Sequence, residues 1–157
     1  MNGAVRPRVL IVGGGYTGVC LAVQLVRQST QPLDITLIEP RAQLGQGMAY
    51  STTDPDHRLN APTYVHTVIP QDAWHFTRWC QAKGLNRHDP QALHADGARY
   101  MRRSDFARYL AETLQSHAQG AVNGCRIMHC QDQALDAQRT SSGWRLTTRG
   151  GQVLQAD

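Results

Sequence analysis

Apolar residues fall along the chain in short runs and periodic stretches, divided by glycines, prolines and polar clusters. From Arg8 a β-branched run, RVLIV, meets Gly13, Gly14 and Gly15, and beyond them Val19, Ala22, Val23, Leu25 and Val26 recur at helical spacing. That order predicts strand, tight turn and helix. In DITLIEP, Ile35, Leu37 and Ile38 predict a second, buried strand stopped by Pro40. Two such strands joined by one helix form a βαβ unit, whose strands are parallel and whose crossover is right-handed.

The pattern then lapses. Residues 41–71 hold three of the seven prolines with repeated Gly, Ser and Thr and no sustained period, which predicts a long loop. Unstructured loops of about 30 residues are uncommon in compact domains and usually functional, so this one is expected to wrap a ligand. Asp72 is the predicted N-cap of a helix running to about Lys83, with Trp74, Phe76, Trp79 and Cys80 apolar and Gly84 ending it. Residues 86–99 read as another loop. A further helix takes Ser104 as N-cap and puts Phe106, Tyr109, Leu110, Thr113 and Leu114 on one face, fading from His117 to Gly120. CRIMHC predicts a third parallel strand, and QALDAQ, WRLTT and QVLQA, separated by RTSSG and RGG, predict an antiparallel meander.

The glycine turn carries the first chemistry. Gly13, Gly15 and Gly18 satisfy GxGxxG directly after a strand and opening a helix. In a Rossmann-like unit the first glycine permits the turn, the second lets backbone approach a pyrophosphate, and the third lets helix pack on strand. The N–H groups of Tyr16, Thr17 and Gly18, at the positive end of the helix, are the expected donors to that pyrophosphate. Glu39 closes the second strand where a carboxylate accepts hydrogen bonds from adenosine ribose hydroxyls. The acid disfavours the 2′-phosphate of NADP at this turn, although Arg41 either offsets it in part or is a solvated loop residue. FAD and NAD both remain open on these grounds.

Composition narrows the class. At 157 residues the chain has the length of one domain. It has no apolar run near the roughly 20 residues of a membrane span and no secretory leader in its first dozen residues. Fifteen of its sixteen basic residues are Arg, dispersed around a net charge of +4, so no nucleic-acid arm is predicted and the excess suits an anionic nucleotide. Cys20, Cys80, Cys125 and Cys130 form no CxxC pair, and the seven His have no ligand spacing, so free thiols, a cytoplasmic setting and no metal site are expected. There is no GxSxG, HExxH or Walker lysine, and no catalytic residue is assigned.

Taken together, GGGYTG, LIEP, GQGMAYST, HRLNAP, AWHFTRWC and RRSDFARYL resemble the bacterial FAD/NAD(P)-binding flavoprotein family, which is related to the flavin N-hydroxylating monooxygenases and the glutathione-reductase type of fold. The resemblance implies the N-terminal part of a larger flavoprotein, residues 1–157 forming an α/β Rossmann-like FAD-binding domain with a parallel sheet and a C-terminal meander. The family continues into a closing strand beside the first one and a nicotinamide-binding region, so an isolated segment of this extent is expected to have weak or no turnover. It also implies that Gly13, Gly15 and Gly18 hold the FAD pyrophosphate and Glu39 the ribose. By the same resemblance Gly45 and Gly47 pass near the pyrophosphate and ribityl chain, Asn60 lies beside the flavin, and Arg103 matches a family Arg. Ala107 stands where the family more often has Gly. The implied activity is that of an NAD(P)H-dependent flavin oxidoreductase, with monooxygenase as the implied subclass, acting on a small-molecule substrate of unspecified class. An NAD-binding dehydrogenase domain and a dinucleotide-binding module without catalysis are the alternatives, the long loop after Glu39 speaking against the first.

Overall fold

The computed structural model describes residues 6–157; the first five positions of the expected domain lie outside the described residues. β1 (Arg8–Val12), α1 (Tyr16–Gln28) and β2 (Asp34–Ile38) form the βαβ unit that the alternating runs predict. β1 and β2 are parallel, with Leu10 opposite Thr36. β3 (Arg126–Cys130) adds in parallel to the other side of β2, giving the order β1-β2-β3. β2 is therefore the central strand, and Ile35, Leu37 and Ile38 are almost wholly buried. β4 (Ala134–Thr140), β5 (Gly143–Thr148) and β6 (Val153–Ala156) form the antiparallel meander as a separate three-stranded sheet. Its last residue returns to β1: the Asp157 N–H donates to the Arg8 carbonyl at 3.1 Å, and its carboxylate accepts from the Arg8 N–H at 2.8 Å.

Four helices complete the described chain: α1, α2 (His75–Ala82), the single turn α3 (Leu85–His88) and α4 (Arg103–Gln119). The apolar stripe of α1, Val19, Ala22, Val23 and Val26, is buried between β2 and α4. Phe76 from α2 meets Phe106 and Tyr109 from α4 with ring centroids 5.0 and 4.7 Å apart. All three rings are fully buried, and burying a side chain of this size contributes roughly 1.5–3 kcal/mol. The Tyr109 hydroxyl is anchored too, accepting from the Val68 N–H at 3.3 Å and lying 2.7 Å from His75 Nδ1.

Two helix starts differ from expectation. α2 begins at His75 with Trp74 at its cap, because the Asp72 carboxylate accepts from the Trp74 N–H and pairs with Arg78, closing a turn ahead of the helix. α4 begins at Arg103 with Arg102 at its cap, and Ser104 lies exposed within the helix. The cause is a short antiparallel pairing: Leu59 N–H donates to the Met101 carbonyl and Arg103 N–H to the His57 carbonyl, both at 2.9 Å. Residues 86–99 are likewise more ordered than a loop. They contain most of α3, a 3₁₀ turn at Pro90–Ala92 and a bridge between Leu93 and Arg99. Residues 41–71 remain without helix or strand apart from the bridge at Arg58, as expected. The four cysteines are free, and no helix among the described residues is long and apolar enough to cross a membrane.

Candidate functional site

Two glycines of the turn are required for different reasons. Gly13 has φ +97°, a left-handed conformation that L side chains avoid, and its N–H donates to the Ile38 carbonyl at 2.9 Å. Gly18 is required by contact, since a Cβ there would stand 2.0 Å from the Gly13 carbonyl oxygen. Between them the chain bends so that α1 starts at Tyr16, capped by the backbone of Gly15 alone. No side chain caps the helix and no acidic residue lies in its first turn. The N–H groups of Tyr16, Thr17 and Gly18 precede the first intrahelical bond, from Val19 to the Gly15 carbonyl, and supply an anion site at the positive end of the helix dipole.

An open groove of about 650 Å³ lies against this turn. One wall is β1 with Gly13, Gly15, Tyr16, Thr17 and Gly18; the other is the segment 46–50. Gly47 approaches Gly15 so closely that a Cβ on either would stand 3.1–3.3 Å from the other's Cα. The structure thus brings Gly13, Gly15, Tyr16, Thr17, Gly18 and Gly47 to one groove. Gly45 is placed differently. It is buried beneath the turn, its N–H donating to the Gly14 carbonyl at 2.7 Å, with α4 so close that a Cβ would meet Leu110 and the Ala107 carbonyl at 2.8 and 3.0 Å.

Glu39 closes β2 with 4% of its surface exposed. Its Oε2 accepts from the Gly14 N–H at 3.0 Å, and its Oε1 accepts from the Arg41 N–H and guanidinium, both at 3.0 Å. Burial pushes the carboxyl up, but the Arg41 and Gly14 N–H bonds and the Arg41 guanidinium outweigh it, so the group is held below the usual carboxylate range. A carboxylate has about four acceptor positions, and three are engaged here, leaving about one for a ribose hydroxyl. Arg41 is thus an ion-pair partner of Glu39 that also reaches Met48 Sδ at 3.2 Å, rather than a solvated loop residue.

Arg103 and Asn60 both lie outside the groove lining. Arg103 is half-buried at the start of α4, where Nε donates to the Arg58 carbonyl at 3.1 Å and Nη1 to the Ala49 carbonyl at 3.4 Å. It steadies the 46–50 wall from behind. Asn60 is exposed and is not part of the groove lining. The motif alone does not mark Gly14, although a Cβ there would stand 2.4 Å from Leu44 and 2.7 Å from the Glu39 Cβ. Its neighbours Gly13 and Gly15 hide the requirement, which becomes visible only when Glu39 is folded against it.

Two titratable groups beside the glycine turn, Tyr16 and Cys20, are held neutral. Burial first, then Cys20, pushes the Tyr16 phenol up to about 12, and its hydroxyl donates to the Thr67 carbonyl at 3.3 Å. Burial raises Cys20 as well, so it stands as a thiol, not a nucleophile. What the arrangement offers is recognition of an anionic, ribose-bearing ligand by backbone donors and one carboxylate.

Over residues 10–157 the sequence matches a family model described as FAD-NAD(P)-binding. No curated protein matches it. Among solved structures it is similar to a flavin-containing monooxygenase from Stenotrophomonas maltophilia, with a TM-score of 0.62 and 16% identity, covering 96% of this chain and 36% of that one. It is also similar to the Diels-Alderase PyrE3 of pyrroindomycin biosynthesis, at TM-score 0.52 and 16% identity over 96% of this chain and 31% of that one. A third, the peptidyl tryptophan dihydroxylase QhpG, gives TM-score 0.50 and 20% identity over 98% of this chain and 31% of that one. At such identities the likeness is one of fold, and the chain spans about a third of the length of these structures.

Proposed function

The chain belongs to the FAD-NAD(P)-binding family, and from that premise we propose that it forms the FAD-binding part of an NAD(P)H-dependent flavin oxidoreductase of the monooxygenase type. The observation that carries this reading is the glycine turn: uncapped N–H groups at the start of α1, Gly15 and Gly47 in close approach across the groove, and Glu39, outside the groove lining, held ionised against Gly14 at the end of β2. A diphosphate suits the first, a ribose the last. When bound, the flavin supplies the electron-transfer chemistry, and the protein supplies orientation and electrostatics.

In this reading Tyr16, Thr17 and Gly18 donate backbone N–H groups to the pyrophosphate. Glu39 accepts from the ribose, Arg41 fixes the carboxylate, and Arg103 fixes Ala49 in the facing wall. The negative charge of Glu39, compensated by Arg41, favours a 2′-hydroxyl over a 2′-phosphate at this turn. NADH or NADPH as the reductant, a small-molecule substrate and a cytoplasmic setting belong to the same proposal.

The test is the visible spectrum of the purified protein after soaking with FAD and removal of excess. The expected result is a bound-flavin spectrum that bleaches under anaerobic NADH or NADPH when the full catalytic machinery is present. A protein that stays colourless yet binds NAD in calorimetry favours a dehydrogenase-type module instead. Retained flavin that no nicotinamide cofactor bleaches favours binding without catalysis.

A further inference from the structure

Resting on the cofactor reading above, we propose that Met48 is a modification site: oxidation of its thioether by a hydroperoxide breaks the tie between the 46–50 wall and Glu39 and lowers nucleotide affinity. Met48 lines the groove and is 86% exposed, more than any other sulfur-bearing side chain among the described residues. Met128 is 49% exposed and Met101 wholly buried. Cys80 and Cys125 are buried, and Cys20 and Cys130 are partly so. Burial also raises the Cys20, Cys80 and Cys130 thiols, which keeps them from the reactive thiolate form. A thioether has no proton to lose, so exposure governs its oxidation.

What sets Met48 apart from an ordinary exposed methionine is its partner. Arg41 Nη2 donates to Sδ at 3.2 Å, while Nη1 of the same guanidinium donates to Glu39 Oε1 at 3.0 Å. One cation thus spans from the acid at the end of β2 to the wall that packs on the glycine turn through Gly47 and Gly15. Residues 41–71 have no helix or strand apart from the bridge at Arg58, so side-chain ties of this kind fix where the wall stands. In the oxidation a sulfur lone pair attacks one peroxide oxygen, the O–O bond breaks and an S–O bond forms. Sulfur gives up two electrons, and the hydrogen of the transferred oxygen passes to the oxygen that leaves as water or an alcohol. A thiol-driven sulfoxide reductase reverses the change. Either site of addition ends the contact with Arg41. On the lone pair facing Arg41, the new oxygen needs an N–H···O distance of about 2.7–3.2 Å beyond the S–O bond, and the 3.2 Å between Sδ and Nη2 leaves no room for both. Arg41 then withdraws from Glu39, or Met48 turns to water. On another lone pair, the oxygen makes sulfur the positive end of the S–O dipole, and sulfur stops accepting from a cation. Both outcomes untie the wall and turn an apolar lining side chain polar.

The experiment measures ADP affinity by calorimetry before and after mild hydrogen peroxide, and again after methionine sulfoxide reductase with a thiol, with peptide mass spectrometry locating the added oxygen. The expected result is a sulfoxide at Met48 while Met101 stays unmodified, and ADP affinity lowered by about twofold to tenfold, the net worth of one hydrogen bond. The reductase restores it. Met48→Leu is expected to keep its own ADP affinity through the same treatment. Arg41→Lys keeps the charge but lacks the fork that spans both partners, so its ADP affinity, whatever its starting value, is expected not to respond to peroxide. Should that variant not fold, Arg41→Gln takes its place with the same expectation. A Met48 sulfoxide with unchanged ADP affinity overturns the proposal. So does a loss that persists in Met48→Leu, which assigns it to another sulfur, or a loss as large in Arg41→Lys, which assigns it to direct contact with the ligand. A Met48 left unmodified while Met128 or a thiol is oxidised overturns it as well. These results leave the cofactor reading standing; a wild-type protein that binds neither ADP nor FAD overturns both.

Discussion

Substituting Glu39→Gln separates what this carboxylate does for the fold from what it does for a ligand. Its two oxygens accept three hydrogen bonds, from the Gly14 N–H, the Arg41 N–H and the Arg41 guanidinium. Glutamine keeps the shape but has one acceptor oxygen and one donor group. With the oxygen toward Arg41, its NH₂ opposes the buried Gly14 N–H; flipped, it opposes two donors of Arg41. Either way a buried donor is left unpaired, at a cost of about 1–3 kcal/mol, and a hydrogen bond to a charge is lost. Arg41 is partly solvated, so its share is discounted, and the total expected is about 2–4 kcal/mol. For a domain of this size that lowers Tm by roughly 5–15 °C. The assay is thermal and urea unfolding followed by far-ultraviolet circular dichroism at pH 7, without FAD. Acidity supplies a second check. Because the folded state holds Glu39 below its usual range, the stability it contributes is present above the unfolded carboxyl's value and is lost as pH falls through the folded one. The gap between wild type and variant should therefore narrow on acidification below about pH 4–5, the ordinary range of the unfolded group. A variant within about 0.5 kcal/mol of wild type at pH 7, or a gap that widens in acid, refutes the reasoning.

Gly18→Ala puts a Cβ 2.0 Å from the Gly13 carbonyl oxygen, so α1 must retreat from the turn; the expected cost is about 1–3 kcal/mol in urea unfolding, with FAD affinity reduced in direct titration. Tyr109→Phe strips the buried Val68 N–H of its acceptor and His75 Nδ1 of its partner. A loss of about 1–3 kcal/mol is expected by the same unfolding assay, with the aromatic packing of Phe76 and Phe106 retained.

How much of this was legible in the sequence follows from how local each determinant is. The β1-α1-β2 unit and the groove residues Gly13, Gly15, Tyr16, Thr17 and Gly18 could be read because strand period, glycine spacing and helix period lie within one stretch of chain. Glu39 could be placed because it ends that same unit. The starts of α2 and α4 differ from those the sequence predicts because contacts outside the capping turn override local capping. Asp72 and Ser104 are good capping residues by type, but Asp72 is drawn to Arg78, and the pairing of 57–59 with 101–103 fixes where α4 begins. Asn60 and Gly45 came from resemblance, and the fold sends one to solvent and the other beneath the turn. The contact of Arg41 with Met48 gave no signal, since a guanidinium and a thioether 7 positions apart carry no spacing rule.

The strand order β1-β2-β3 also dictates which contacts are cheap to form first. β1 and β2 are joined by a single helix, whereas β3 must find the far side of β2 after the whole segment from Glu39 to Cys125 has intervened. Closing so long a loop adds an entropy cost of about 0.6 kcal/mol for each doubling of its length before any pairing is gained, and such non-local contacts slow folding. On loop length alone, the β1-β2 pairing that frames the glycine turn is expected to form before β3 joins the far side of β2.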